Sequence, residues 1–326
     1  METTPRTLLD ALAHVGRVLL TGPVSPDGDS LGACLALQSI LVARGVDCSI
    51  AGSPSYRYAW MPGIDSLIPE SEVEPEWGAV VVLDGDRHRL APEVERAFSA
   101  APIRGIIDHH GSTQDDGYTH FWVAPEAGST CEMLYAELAG WGVTIDRPMA
   151  EALYTGLIFD TGGFRYSNTS PASHEMAAAL LRAGIDHSDI CLRVLMDRRR
   201  SGLRITAEVF AQALFELDGR LSIGTVTLAQ WDRMRGVDGD LEGIVECLVQ
   251  VHGVEVGVLI IERPGGSAKL SLRSHGAVDV ATVANDLAPS GGGHAKAAGV
   301  SLDDPIDVIV ARVVTAIDAA LSPSAR

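Results

Sequence analysis

Through the first half of the chain, short continuous apolar runs alternate with longer helical patterns. RVLLTG (17–22) is an apolar run that stops in a PDGD turn, and SLGACLALQSILVARG (30–45) follows as a helical pattern closed by Gly45. VDCSIAG (46–52), AVVVLD (79–84) and RGIIDHH (104–110) read as three further strands, the last two ending in acidic or imidazole groups. Strands that are apolar throughout, each followed by a helix or loop, predict a parallel sheet covered on both faces. Helical patterns then dominate, in TCEMLYAELAG (130–140), PMAEALYTGLIFDTG (148–162) and SHEMAAALLRAG (173–184). DRRRSGLRITAEVFAQALFEL (197–217) reads as one more helix, charged at its start, and is expected to be a connector. Beyond it, RLSIGTVTL (220–228), VEVGVLIIER (254–263) and AKLSLRS (268–274) predict strands, with helices near 241–250, 279–287 and 306–321. They make a second α/β unit of roughly 110 residues, within normal domain size. No internal repeat or low-complexity segment appears, and the Ser/Pro/Ala tail at 322–326 is expected to fray.

A length of 326 residues fits this two-unit division, at about 150 residues per domain. Hydrophobic residues make up 46 % and aromatics only 5 %, so the cores are to be built from Ala, Val and Leu. The formal charge is −18, from 43 acidic and 25 basic residues. That argues against a broad basic face gripping long duplex nucleic acid, and against docking on anionic lipid. Taken alone, the acidic balance means solubility. The first twenty residues hold no apolar core followed by a cleavage site, and the apolar runs are strand-sized, so a cytoplasmic protein with no membrane partner is expected. Cys34, Cys48, Cys131, Cys191 and Cys247 are widely spaced and form no CxxC. They read as reduced thiols rather than a disulfide framework or zinc site.

The chemistry concentrates by position. Ligands of an open parallel sheet bind outside the carboxyl ends of its strands. Asp27-Gly28-Asp29 follows the run at 17–22, Asp84-Gly85-Asp86 the run at 79–83, and Asp108-His109-His110 the run at 104–107, while Asp160 lies near the end of the helix at 148–161. Each alone is ordinary: an Asp-Gly-Asp turn is common loop chemistry. Together they would repel one another unless cations neutralised them. Carboxylates with one or two imidazoles and no cysteine suit Mn²⁺ or Mg²⁺. Two such ions sharing a carboxylate would supply a hydroxide nucleophile and clamp a phosphoryl oxygen, which points to a di-cation phosphoester hydrolase. Near the C-terminus, GGGHAKAAG (291–299) offers glycines whose N–H groups can approach an anion, followed by HAKAAG as a helix start. Arg273 adds a bidentate phosphate donor. No GxxxxGK[ST] loop is present, and DGDSLG is not GxGxxG, so nucleotide-binding loops of those kinds are disfavoured.

PDGDSLGA (26–33), VVLDGDRHRL (81–90), IIDHHGS (106–112) and TGLIFDTGGFRYSNTS (155–170) resemble the four ordered motifs of the DHH phosphoesterase superfamily. KLSLRS (269–274) and GGGHAKAAG (291–299) resemble its DHHA1-type C-terminal domain. The length and layout are most similar to the bacterial nanoRNase, or oligoribonuclease-like, branch, which degrades very short RNA and dephosphorylates 3′-phosphoadenosine 5′-phosphate. The resemblance implies an N-terminal α/β DHH catalytic domain with a mostly parallel sheet flanked by helices (1–195), a helical linker (196–217) and a smaller α/β DHHA1 substrate-binding domain (218–326). It implies two Mn²⁺ ions, with Mg²⁺ as the alternative: Asp27 on the first, Asp29 on the second, Asp84 bridging, and His109 and Asp160 completing the second site. Asp108 would orient the neighbouring imidazole, and His110 would face the scissile phosphate. Arg273, Ser274, Gly292, Gly293 and His294 would hold the far end of a short single-stranded RNA or nucleotide across an interdomain cleft. A homodimer is carried over as an expectation of the same kind.

One position departs from the family pattern. Its HxxxD motif places a metal-binding histidine where this chain has Pro23, in GPVSPD. A water filling the gap, substitution by Asp86 or His88, and a weakened first site are three outcomes the sequence leaves open. Two alternatives follow: a catalytically weakened nucleotide-binding protein, and an inorganic pyrophosphatase of the same superfamily. Tyr56, Tyr58 and Trp60 would either stack on a base or pack beneath a loop.

Overall fold

The computed structural model describes residues 5–237 and 239–322. The chain divides after Asp197 into two compact units, each with its own sheet.

The first unit runs α1 (Pro5–Leu12), β1 (Arg17–Thr21), α2 (Gly28–Ala43), β2 (Asp47–Ala51), β3 (Ala79–Leu83), α3 (Pro92–Ala100), β4 (Ile103–Asp108), β5 (His120–Val123), α4 (Thr130–Leu138), α5 (Arg147–Asp160), α6 (Pro171–Arg182) and α7 (His187–Cys191), with a π turn at Leu192–Met196. Its strands are all parallel, in the order β2-β1-β3-β4-β5. The alternation within the apolar runs assigns them to two faces. Val18, Leu20, Val81 and Leu83 pack with α2, α4 and α5, whereas Leu19, Val80 and Val82 pack with Val94 and Phe98 of α3. Helix α2 is buried almost all round because it lies between the sheet and α5, which explains a helical segment with little polar face.

The strand order reverses between β1 and β3, the place where doubly wound sheets bind ligands. The register there is tight. Thr21 is opposite Val82, Leu83 opposite Ile107, and Asp84 N–H donates to Ile107 O at 3.0 Å. Three chain exits thus lie side by side. Four elements of this unit escaped the sequence reading: α1, whose Leu8, Leu9 and Leu12 are buried in the core, α3, α7, and the edge strand β5, which pairs with β4.

The second unit contains α8 (Arg200–Ala211), β6 (Leu214–Glu216), β7 (Leu221–Val226), α9 (Leu228–Met234), α10 (Ile244–Val249), β8 (Val256–Glu262), β9 (Ala268–Ser274), α11 (Val280–Leu287), β10 (Gly292–His294), β11 (Ala297–Leu302) and α12 (Ile306–Leu321). The six-stranded sheet has the order β10-β11-β9-β8-β7-β6, and only the β7–β8 pair is parallel.

Two expectations are corrected here. The helix expected over 197–217 runs only from Arg200 to Ala211, and Leu214–Glu216 is an edge strand antiparallel to β7. Ile205 and Val209 pack with Val226 and Leu248, so α8 is anchored in the second unit's core. HAKAAG does not start a helix. It closes a hairpin in which Gly292 faces Gly299 and His294 faces Ala297. Ala298, Val300 and Leu302 are buried while Ser301 between the last two is exposed, and this period of two makes a strand. The tail beyond Ser322 lies outside the described residues. Among the described residues, no helix is long and apolar enough to cross a membrane.

Candidate metal centre

Asp29, Asp84, His109 and Asp160 each offer a ligand atom, and these four atoms lie within 4.8 Å of one another. They arrive from the first turn of α2, the end of β3, the residue after β4 and the last residue of α5. Helices α2 and α5 approach closely to deliver two of them. A side-chain Cβ at Gly32 would stand 2.4 Å from Ala152 O, and one at Gly156 would stand 2.4 Å from Asp29 Oδ1. Glycine is required where backbones meet this closely. Asp84 itself adopts φ +63° and Gly85 φ +144°, a sharp exit from β3 that turns the carboxylate into the site.

Hydrogen bonds fix each group. His109 Nδ1 lies 3.2 Å from Ala127 O, which sets that nitrogen as the N–H donor. Nε2 then faces the carboxylates, 2.8 Å from Asp160 Oδ2 and 3.4 Å from Asp84 Oδ1. Asp29 Oδ2 accepts from Thr130 N–H at 2.6 Å and Oδ1 from Cys131 N–H at 3.0 Å. Asp108 stands behind the cluster, fully buried; its Oδ1 is 2.7 Å from His110 Nδ1, and Thr113 Oγ1 donates to its Oδ2. Asp27 caps α2, accepting Asp29 and Ser30 N–H through Oδ1 at 3.0 and 3.1 Å.

The electrostatics of the cluster are those of buried carboxylates that repel one another. Burial, then the charges of Asp160 and Asp84, push the Asp29 carboxyl well above the usual carboxylate range. Burial, then Asp84, Asp160 and Asp29, do the same to Asp27, so it lies within the field of the same group. Burial also raises Asp160, against the hydrogen bond from His109. Burial would raise Asp84 too, but His109 and His110, with Arg89 behind them, hold it below the ordinary range. His109 is desolvated, yet its bonds to Asp160 and Asp84 raise it far above an ordinary imidazole. Three crowded carboxylates and one imidazole of fixed tautomer, with no thiolate among them, are the donor set of a hard or borderline divalent cation, and a cation removes the repulsion.

Several sequence expectations are placed differently. Pro23 packs beside Gly85, where a Cβ would lie 3.4 Å from the proline Cδ. Neither expected substitute joins the cluster: Asp86 caps the next turn through His88 N–H, and His88 Nε2 pairs with Asp116 at the surface, 3.1 Å away. Tyr58 is fully buried with its ring edge-on to Phe159, so it packs rather than stacks on a base. Trp60 donates to Arg57 O, and the Arg193 guanidinium lies over its ring at 5.3 Å. In the second unit, Arg273 Nε pairs with Glu246 Oε1 at 2.9 Å and Ser274 Oγ donates to Val278 O at 2.7 Å. Gly292, Gly293 and His294 form β10, and Gly293 has φ +137°.

The residues that sequence reasoning missed are Thr130, Ala127 and Asn168. Asn168 donates through Nδ2 to Gly128 O at 2.8 Å and to Asp160 O at 3.1 Å. Its place in the SNTS stretch after Asp160 was visible, but the backbone partners were not.

Comparison with known proteins agrees with this layout. Residues 17–157 match the model of the DHH family, N-terminal domain, and residues 233–322 match the DHHA1 domain. A bifunctional oligoribonuclease and PAP phosphatase of Thermus thermophilus is 30 % identical, over 93 % of this chain and 89 % of that protein. The protein of the same name from Bacillus subtilis is 25 % identical, over 94 % and 97 %. The solved structure of an exopolyphosphatase-related protein from Bacteroides fragilis shares the fold, with a TM-score of 0.86 at 24 % identity, covering 96 % of this chain and 95 % of that one.

Proposed function

The chain belongs to the DHH family and carries its DHHA1 domain, and on that footing we propose that it is a phosphoester hydrolase of short oligoribonucleotides and of 3′-phosphoadenosine 5′-phosphate. The observation that carries the reading is the buried four-donor cluster of Asp29, Asp84, His109 and Asp160 at the sheet's switch point. These four residues, with Asp27 beside them, would hold divalent cations, and we assign Mn²⁺. When bound, the cations supply Lewis acidity toward a phosphoryl oxygen and toward the attacking water.

The chain's own groups do the rest. His109 presents Nε2 because Ala127 O holds Nδ1. Asp108, anchored by Thr113, aligns His110 through Nδ1, and we assign His110 Nε2 to the phosphoryl oxygen and leaving group. Arg273, Gly292, Gly293 and His294 are assigned to the distal end of the substrate. Ser274 supports that region through its hydroxyl bond to Val278 O. Cytoplasmic action as a homodimer belongs to the same proposal.

The test is release of mononucleotide from di- to pentaribonucleotides, and of phosphate from 3′-phosphoadenosine 5′-phosphate, with Mn²⁺ present. Turnover no greater than that of Asp84→Ala would sink the assignment. Pro23, packed against Gly85 with no donor atom, favours a second reading in which nucleotide binds with weak turnover. Calorimetric nucleotide binding without Mn²⁺-dependent hydrolysis would select it.

A further inference from the structure

The candidate ligands come from four distant places in the chain, yet one short segment touches three of them and is tied to the fourth through Asn168. It is the run 127–131 that leads into α4. Ala127 O meets His109 Nδ1. Gly128 O accepts from Asn168 Nδ2, which also donates to the backbone carbonyl of Asp160. Thr130 N–H and Cys131 N–H donate to the two oxygens of Asp29. Thr130 Oγ1 donates to Asp84 Oδ1 at 3.3 Å.

We propose that segment 127–131 is the positioning collar of the metal centre, and that Thr130 is the positioning residue within it that holds Asp29 and Asp84 at a fixed separation. The inference rests on the metal-centre reading above. The first N–H groups of a helix have no acceptor within it. Ser129 caps the N–H of Glu132 at 3.0 Å, and Asp29 takes those of Thr130 and Cys131. The helix start therefore sets the direction of both Asp29 oxygens, each of which keeps a further lone pair for a cation. The Thr130 hydroxyl extends the same rigid point to the next carboxylate. Thr130 is fully buried and β-branched, so its hydroxyl has few rotamers to choose from. No residue of the collar is itself a ligand; it acts through ligands.

Partners behind a metal ligand are typically worth ten- to a hundredfold in metal affinity. The test is calorimetric titration of the metal-free full chain with Mn²⁺ alone, alongside thermal melts without metal. Thr130→Val keeps shape, β-branch and N–H but removes the hydroxyl. It should weaken Mn²⁺ binding about tenfold or more while melting near the wild-type temperature without metal. Thr130→Ser should restore the affinity. Should Thr130→Val not fold, Asn168→Ala cuts the tie between Gly128 and Asp160 and should also weaken Mn²⁺ binding. Wild-type affinity in Thr130→Val, or in Asn168→Ala where Thr130→Val does not fold, overturns the proposal, as does an equal loss in the Val and Ser variants. A wild-type chain that takes up no Mn²⁺ overturns both the collar and the metal reading beneath it, whereas Mn²⁺ binding without hydrolysis overturns the activity alone.

Discussion

Asp84 occupies the left-handed region of backbone space, with φ +63°, where side chains other than Gly, Asn and Asp pay about 1–2 kcal/mol. That backbone turn directs the carboxylate away from the strand and into the cluster. Asp84→Asn keeps both shape and tolerance of that conformation, so it should fold but lose the Mn²⁺-induced rise in melting temperature. In the wild type, an ion at a hundredfold excess over its Kd adds about 2.7 kcal/mol. Asp84→Ala should share that loss and, without metal, be less stable than Asp84→Asn by about 1 kcal/mol. Scanning calorimetry with and without Mn²⁺ measures both effects, and a wild-type shift in Asp84→Asn would remove Asp84 from the ligand set. The residues legible in advance, Asp29, Asp84, His109 and Asp160, are titratable side chains just after apolar runs or at a helix end. Ala127 and the Thr130 N–H were not legible because every residue carries backbone N–H and C=O, and the Thr130 hydroxyl was not because its partner Asp84 is distant in the chain.

At the scale of elements, the cluster depends on two helices whose backbones nearly touch. Gly156 sits in the middle of α5, where propensity alone favours alanine by about 1 kcal/mol. Here a Cβ would meet both Asp29 Oδ1 and Cys131 Sγ at 2.4 Å. Gly156→Ala should therefore destabilise by about 1–3 kcal/mol through overpacking, and weaken Mn²⁺ binding by displacing a ligand. Denaturant melts and metal titration check the two effects, and a stabilised variant would show that α2 and α5 have room to separate. Strands β1 to β4 were readable as apolar runs that end in turns, whereas the parallel edge strand β5, half-buried along its length, was not. The segment GGGHAKAAG was not, because small residues favour neither period strongly. Pairing with β9 decides it, placing Ala298 opposite Leu272 and Val300 opposite Leu270. The Arg-rich start of 197–217 concealed a similar outcome: Ile205 and Val209 bind α8 to one core, so it is no free connector.

Over the whole molecule, the charge of −18 counted against a broad basic face gripping long duplex nucleic acid. On the proposal that Asp29, Asp84 and Asp160 share a cation, the remaining acidic surface should act selectively, repelling a long polyanion more than a short one. The Debye length falls from about 30 Å at 0.01 M salt to about 8 Å at 0.15 M. Raising salt over that range should increase kcat/KM for a long single-stranded RNA relative to a trinucleotide, measured by competition. A ratio that stays flat would leave surface charge no part in selecting length.

The order of the centre along the chain has a consequence in time. Asp29, Asp84, His109 and Asp160, with Asp27 and every collar residue, lie between Asp27 and Asn168, inside a unit that ends at Asp197. Domains fold as units, N-terminal first, while the chain is still being made. The ribosome will therefore have released the four-donor cluster of Asp29, Asp84, His109 and Asp160 before it has begun Arg273 or the β10–β11 hairpin. On the proposed function, a newborn chain would take up metal well before it owns the residues assigned to the substrate's distal end, and metal loading and substrate discrimination would be acquired as separate events in the life of each molecule.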